Sequence, residues 1–233
     1  MRRDPESLVR QLLDIRLWVA FDVDEDGRVL AGSDDLGSVQ LVEIAPDGTR
    51  TALTALPSQC SGRYVPGRRA VVVQHDQGGD ENMQLSLLDL DRQPGPAALD
   101  DLSPLVRDPA HMHVLEDVSE TSVTYSTNRR NDVDMDVVVR DLETGDERVL
   151  FDRGGYVVES VVSHDERSTA VVTLSLQPNS TTVSVVGPAA GGDGMPTVTD
   201  PGEHARHQQA SWSVDDSALI LTTATWRRSS GCR

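Results

Sequence analysis

The stretch from Thr124 to Phe151, TYSTNRRNDVDMDVVVRDLETGDERVLF, decides the fold. It reads as a strand, a polar turn, a second strand, a tight turn at Glu143-Thr144-Gly145 and the start of a third strand. The run Val137-Val138-Val139 has no apolar–polar alternation, which predicts a strand covered on both faces rather than one with a wet side. An isolated hairpin of this kind is marginally stable in water, so it needs copies of itself to stack against.

The copies are present. A turn rich in Asp, Glu and Gly followed by an apolar strand occurs at Asp24–Asp34, Pro66–Asp76, Ser119–Asn128, His164–Ser175 and Val214–Thr225. With Asp26, Gly67, Glu120, Glu166 and Asp216 as equivalent points, the steps are 41, 53, 46 and 50 residues. The strand that follows also recurs, as VQLVEIAPDG from Val39, QLSLLDLD from Gln84, DVVVRDLETG from Asp136 and TVSVVGP from Thr182. Repeats of about 40 to 50 residues made only of strands and turns predict the blades of an all-β propeller. Helical repeats of that length are excluded because the apolar runs are short and β-branched.

The expected blades run over about 18–56, 60–102, 110–153 and 156–199, with a partial fifth at 208–225. The Pro- and Gly-rich stretches Gln93–Asp101 and Gly187–Pro196 serve as joints between them. Four blades and part of a fifth fall short of a complete ring, so an open ring is expected, with strand edges left for self-association. Before the propeller, residues 1–17 form a helical segment: Asp4-Pro5-Glu6 is a helix start, and Leu8, Val9, Leu12 and Leu13 share one face. After it, residues 226–233 (WRRSSGCR) continue no strand pattern.

Composition narrows the partners. The net charge is −17, spread along the chain, which disfavours nucleic acid or an anionic membrane as partner. The basic residues are all Arg. Aromatics make up only 3%, so Val, Leu and Ile must fill the blade interfaces. Cys60 and Cys232 fit no metal spacing and read as free thiols, which with the charge suggests a cytoplasmic protein. No apolar run has transmembrane length.

The segments SGRYVPG, QLSLLDLD, YSTNRRNDVDMDVVVRDLETGDERVL and SWSVDDSALILTT resemble the propeller half of bacterial prolyl oligopeptidase-family serine peptidases, most of all the acylaminoacyl-peptidase and dipeptidyl-peptidase-like branch. The resemblance covers about residues 16 to 225, and TolB-like propellers share its Asp-Gly turn. It implies a non-catalytic propeller that caps an α/β-hydrolase domain and filters peptides, so its partners would be peptides or that domain. The alternative is a stand-alone TolB-like or WD-repeat-like scaffold that binds protein. The sequence holds no Gly-x-Ser-x-Gly nucleophile elbow, and no catalytic residue is carried over.

Several constellations bear on chemistry. Asp132, Asp134 and Asp136 would share a face if the chain there is extended. Such a charge run ordinarily marks a solvated turn, but in a propeller it could face the channel and attract a peptide amino terminus. With Asn128, Arg129 and Arg130 these acids make up the peptide-channel candidates. Asp22-x-Asp24-x-Asp26-Gly27 opens like an EF-hand loop, but its twelfth position is Ser33, not Glu. Ser33-x-Asp35-x-Gly37 resembles the turn motif of sialidase-type propellers. His111-x-His113 and His204-x-x-His207 lack a third ligand at a recognisable spacing. No metal site and no cofactor is expected.

Overall fold

A computed structural model describes residues 15–92, 95–187 and 197–225. The expected N-terminal helix over 5–14, the tail from 226 and Cys232 lie outside the described residues. The chain divides into two compact units, Met1–Ala110 with Val118–Glu120, and His111–Asp117 with Thr121–Arg233.

The fold is all-β and of the β-propeller type, a series of antiparallel sheets each wound from consecutive strands. In the first unit, β1 (Trp18–Val23), β2 (Val29–Ser33), β3 (Gln40–Ile44) and β4 (Arg50–Ala52) form sheet one in that order. Sheet two follows with β5 (Cys60–Tyr64), β6 (Ala70–His75), β7 (Gln84–Asp89) and β8 (Ser103–Val106). The second unit holds sheet three except for Val118, with β9 (His113–Val118), β10 (Ser122–Thr127), β11 (Asp136–Asp141) and β12 (Glu147–Phe151). Sheet four has β13 (Val157–Val162), β14 (Thr169–Leu174) and β15 (Thr181–Val186), with a lone bridge from Ser184 to Thr197 where a fourth strand would begin. Sheet five has β16 (Ala205–Trp212) and β17 (Leu219–Thr225).

The repeated acidic turns join the first and second strands of each sheet. Ser163–Ser168 and Ser213–Ala218 are the same turn twice. In each the leading Ser hydroxyl donates to the Asp two residues on, at 2.6 and 2.7 Å, and its N–H closes on the residue five further, at 2.8 and 2.9 Å. The fourth residue must adopt positive φ, and here Glu166 and Asp216 do so at 55° and 54°. In the shorter first turn that position is Gly27, φ 77°, rather than Asp26. Glycine takes this conformation without the Cβ penalty the two acids bear.

Stacking of the sheets explains the unbroken valine runs. In the first unit Leu30 and Leu41 of sheet one pack with Tyr64, Val71, Val73 and Leu88 of sheet two. In the second, Val137 and Phe151 of sheet three pack with Val157 and Val171 of sheet four. Successive side chains on a strand point to opposite faces, and Val172 packs instead with Val183 and Ala210 toward sheet five. Both faces of β14 are therefore dry, and burying each such valine contributes about 1.5–3 kcal/mol. In β11, Val137 and Val138 are buried as expected. Val139, paired with Arg148 of β12, is only half-buried.

Two expectations need correction. The second sheet ends on Ser103–Val106, beyond the Leu102 at which blade two was expected to stop. The stretch Gln93–Asp101 is consequently not a joint between blades, because it lies between the third and outer strands of one sheet. The other expected joint, Gly187–Pro196, lies beyond Gly187 outside the described residues. Proline suits the approach to an edge strand, where no neighbour needs its missing N–H, and Pro104 sits within β8 itself.

Candidate functional site

Residues 128–135 connect β10 to β11, and their polar side chains are committed to one another or to neighbouring elements. Arg130 grips Asp136 with both ends of its fork, Nε to Oδ2 at 2.8 Å and Nη2 to Oδ1 at 3.0 Å. Asp134 accepts from Asn131 Nδ2 at 2.8 Å and from the Gly155 N–H at 2.8 Å. Those two bonds, in that order, hold the Asp134 carboxyl below the usual carboxylate range. Asn128 Oδ1 accepts from the Met112 N–H at 2.9 Å. Asp132 reaches His111 Nε2 at 3.0 Å, and Arg129 reaches Glu147 Oε2 at 2.7 Å.

The three acids do not line one face. Asp132 has φ 65°, which breaks any extended run, and its side chain is 79% exposed. Asp134 turns inward to cap Gly155. Asp136 is buried as the first residue of β11, and Met135 beside it joins the core, so the acidic run is not a solvated turn throughout. The physical reason is that the turn folds back on itself through Asn131, which bonds Asp134, while Arg130 holds Asp136 at the start of β11.

A second set of acids, which the sequence reading missed, ties sheet to sheet. Asp22 on β1 accepts the Tyr64 N–H of β5 at 2.9 Å. Glu116 on β9 takes the Ser160 N–H of β13 at 2.9 Å while the Ser126 hydroxyl donates to its other oxygen at 2.6 Å. Glu159 on β13 takes the N–H groups of Gln209 and Ala210, each at 2.8 Å. The register of β16 against β17 slips between Gln208 and Ser211, and Gln209 stands at φ 55°. That bulge frees the two N–H groups from the ladder, and the carboxylate collects both. Each of these acids sits on the first strand of its sheet and bonds the first strand of the next. The signal in the sequence is a carboxylate among apolar neighbours, as in Phe21-Asp22-Val23 and Val158-Glu159, but its partner lies about 40 to 50 residues away.

Two Tyr–Glu–Arg clusters, each with a buried tyrosine, complete the polar framework. Glu43 on β3 accepts the Tyr64 hydroxyl at 2.9 Å and both Arg69 Nη atoms at 2.9 and 3.0 Å. Burial pushes the Glu43 carboxyl up, but Arg69 and Tyr64 outweigh it and the net direction is down. Glu147 on β12 is held by the Tyr125 hydroxyl at 2.9 Å, Arg129 at 2.7 Å and Arg140 at 3.2 Å, with the same opposition and the same result. Carboxylates held down in this way are anions at neutral pH and serve as acceptors, not as proton donors.

The remaining motifs are structural. Asp24 accepts the Arg28 N–H at 2.8 Å and its guanidinium at 2.9 Å, so the EF-hand-like acids close a hairpin turn. Cys60 is a buried free thiol whose pKa burial pushes up. His207 Nδ1 lies 3.0 Å from the Thr223 hydroxyl, and His204 Nε2 lies 2.8 Å from the Pro178 carbonyl. Among the described residues no group of three His, Cys, Asp or Glu side chains could hold a metal ion, and no helix is long and apolar enough to cross a membrane.

No protein-family model matches the sequence. No curated protein matches it either. Solved structures do. A putative TolB from Agrobacterium tumefaciens superposes with a TM-score of 0.65 at 15% identity, over 90% of this chain and 71% of that one. An oligogalacturonate lyase from Vibrio parahaemolyticus gives 0.62 at 13% identity, over 90% of this chain and 60% of the lyase. A puromycin-hydrolyzing peptidase from Mycobacterium tuberculosis gives 0.59 at 17% identity, over 89% of this chain and 34% of the peptidase. At these identities the likeness is one of fold: a β-propeller of the kind found in TolB-like and peptidase proteins. The chain spans less than two thirds of the lyase and about a third of the peptidase.

Proposed function

We propose that the chain is a non-catalytic propeller of the serine-peptidase type, the part that gates peptides to a hydrolase domain. The observation that carries the non-catalytic reading is the commitment of its polar groups. Asp134, Asp136, Arg129 and Arg130 are spent on one another or on Gly155 and Glu147, and Asp134 and Glu147 are held as anions rather than tuned toward proton transfer. Asn128 and Asp134 anchor neighbouring backbone, and we assign contact with a peptide amino terminus to Asp132, whose side chain is exposed and paired with His111. The peptidase reading is supported by the sequence resemblance and by the likeness to the propeller of a puromycin-hydrolyzing peptidase.

A stand-alone TolB-like scaffold that binds a protein partner is the second reading. It is favoured by the larger share, 71%, of the Agrobacterium protein that this chain spans. The DNA after codon 225 separates the two. A hydrolase domain with Gly-x-Ser-x-Gly in any frame is the outcome expected of the peptidase reading, and an intergenic stop favours the scaffold.

A further inference from the structure

The first unit carries a cleft of about 240 Å³ on sheet two. Its floor is His75 at the end of β6 and Ser86 on β7, one wall is Leu99 and Leu102, and Asp100 and Arg107 stand on the rim. We propose that this cleft binds a free amino acid with an apolar side chain. The ligand carboxylate pairs with Arg107, its ammonium with Asp100, and its side chain packs on Leu99 and Leu102.

Size sets the first limit. Clefts for drug-sized ligands hold roughly 300–1,000 Å³, and this one is smaller, which restricts it to a molecule of amino-acid size. Charge sets the second. Arg107 is exposed and enters no ion pair among the described residues, although the chain holds 38 acidic residues against 21 basic ones. A cation left unpaired in such a chain, beside an exposed carboxylate on the same rim, suits a ligand that carries both signs.

Burial sets the third. His75 is 5% exposed and its Nε2 lies 3.0 Å from the Ser86 hydroxyl, yet its Nδ1 has no partner. A buried ring nitrogen without a hydrogen bond is costly, and a polar group entering the cleft beside the ring can satisfy it. Burial, aided by the Arg107 charge, holds the imidazole pKa below its usual 6.5, so the ring stays neutral and does not repel the ammonium. Gln84 is not available for the role, since its amide is spent on the carbonyls of Asn82, Met83 and Asp108.

The Ser86–His75 pair has the atoms of a nucleophile and base, but the cleft binds rather than cleaves. Ser86 sits in mid-strand between β6 and β8, not on the strained strand-to-helix turn that exposes a serine nucleophile. The proposal does not rest on the peptidase reading, and a downstream hydrolase domain, present or absent, leaves it unchanged.

Isothermal titration of the full chain with L-leucine tests it. Saturable binding is expected with a dissociation constant of about 1 mM or tighter, and L-leucinamide, which lacks the carboxylate, should bind at least about tenfold more weakly. Arg107→Ala should cause the same loss with an unchanged thermal transition, and Asp100→Asn, also at an exposed position, gives an independent variant that should weaken L-leucine binding as well. No saturable binding, or L-leucine binding unaffected by both substitutions, overturns the proposal. Tighter binding of glycyl-L-leucine than of L-leucine overturns the free amino acid in favour of a peptide carboxyl end.

Discussion

Glu43 and Glu147 have nearly the same first neighbours, a tyrosine hydroxyl and arginine guanidinium groups, yet they hold different things together. Glu43 belongs to sheet one while Tyr64 and Arg69 belong to sheet two, so that cluster is a joint between blades. Glu147, Tyr125, Arg129 and Arg140 all belong to sheet three and the loop within it, so that cluster braces a single blade. The Glu43 side chain is 11% exposed and that of Glu147 27%, and Arg69 presents both ends of its fork where Arg129 presents one. The lesson is that the same residue types give a joint or a brace according to which strand carries the acid, and that the joint is the drier of the two.

The largest expected effect follows from that difference. Glu43→Ala leaves a buried hydroxyl and a half-buried guanidinium without their acceptor and should lower the unfolding free energy by about 3 kcal/mol in urea denaturation. Glu159→Ala comes next, at about 1–2 kcal/mol, because the two N–H groups freed by the β16 bulge lose their acceptor. Glu147→Ala, in the wetter cluster, should cost about 1 kcal/mol. Equal losses for Glu43→Ala and Glu147→Ala would erase the distinction between joint and brace. At the small end, Asp132→Asn removes only an exposed contact to His111 and should stay within about 0.5 kcal/mol.

Acid sharpens the same comparison. Both glutamates have folded-state pKa values below their ordinary 4.5. Their contribution is therefore fully present above that pH and is lost as pH falls through the lower folded values. Stability measured from pH 7 downward should fall less steeply in Glu43→Ala than in the parent, and the change should be smaller for Glu147→Ala. On the alkaline side burial, then the hydrogen bond to Glu43, pushes the Tyr64 hydroxyl far above its ordinary 10.0. Its contribution is present below pH 10 and fades above it, and Tyr64→Phe should remove that alkaline loss.

The repeat was legible because it rests on local chemistry. The turns around Gly27, Glu166 and Asp216 carry their own acids and hydroxyls within six residues, and the valine runs announce strands buried on both faces. The sheet ends were less so. Gln93–Asp101 has the composition of a linker whether it joins two blades or leads to an outer strand, and only the pairing of Ser103 with Leu87 decides. The candidate acids misled for a related reason. A period of two places Asp132, Asp134 and Asp136 on one face only if the chain is extended, and the positive φ of Asp132 ends that premise. Asp22, Glu116 and Glu159 could not be chosen from 38 acidic residues, since their partners are backbone N–H groups on another sheet.

The central proposal, that this propeller is non-catalytic, rests on acids and hydroxyls that are spent on building blades and joints. Incubating the purified chain with chromogenic aminoacyl and peptidyl anilides tests it most directly. The account predicts no release of the chromophore above the buffer rate. Turnover that survives purification and is abolished by a serine-directed phosphonate would contradict it.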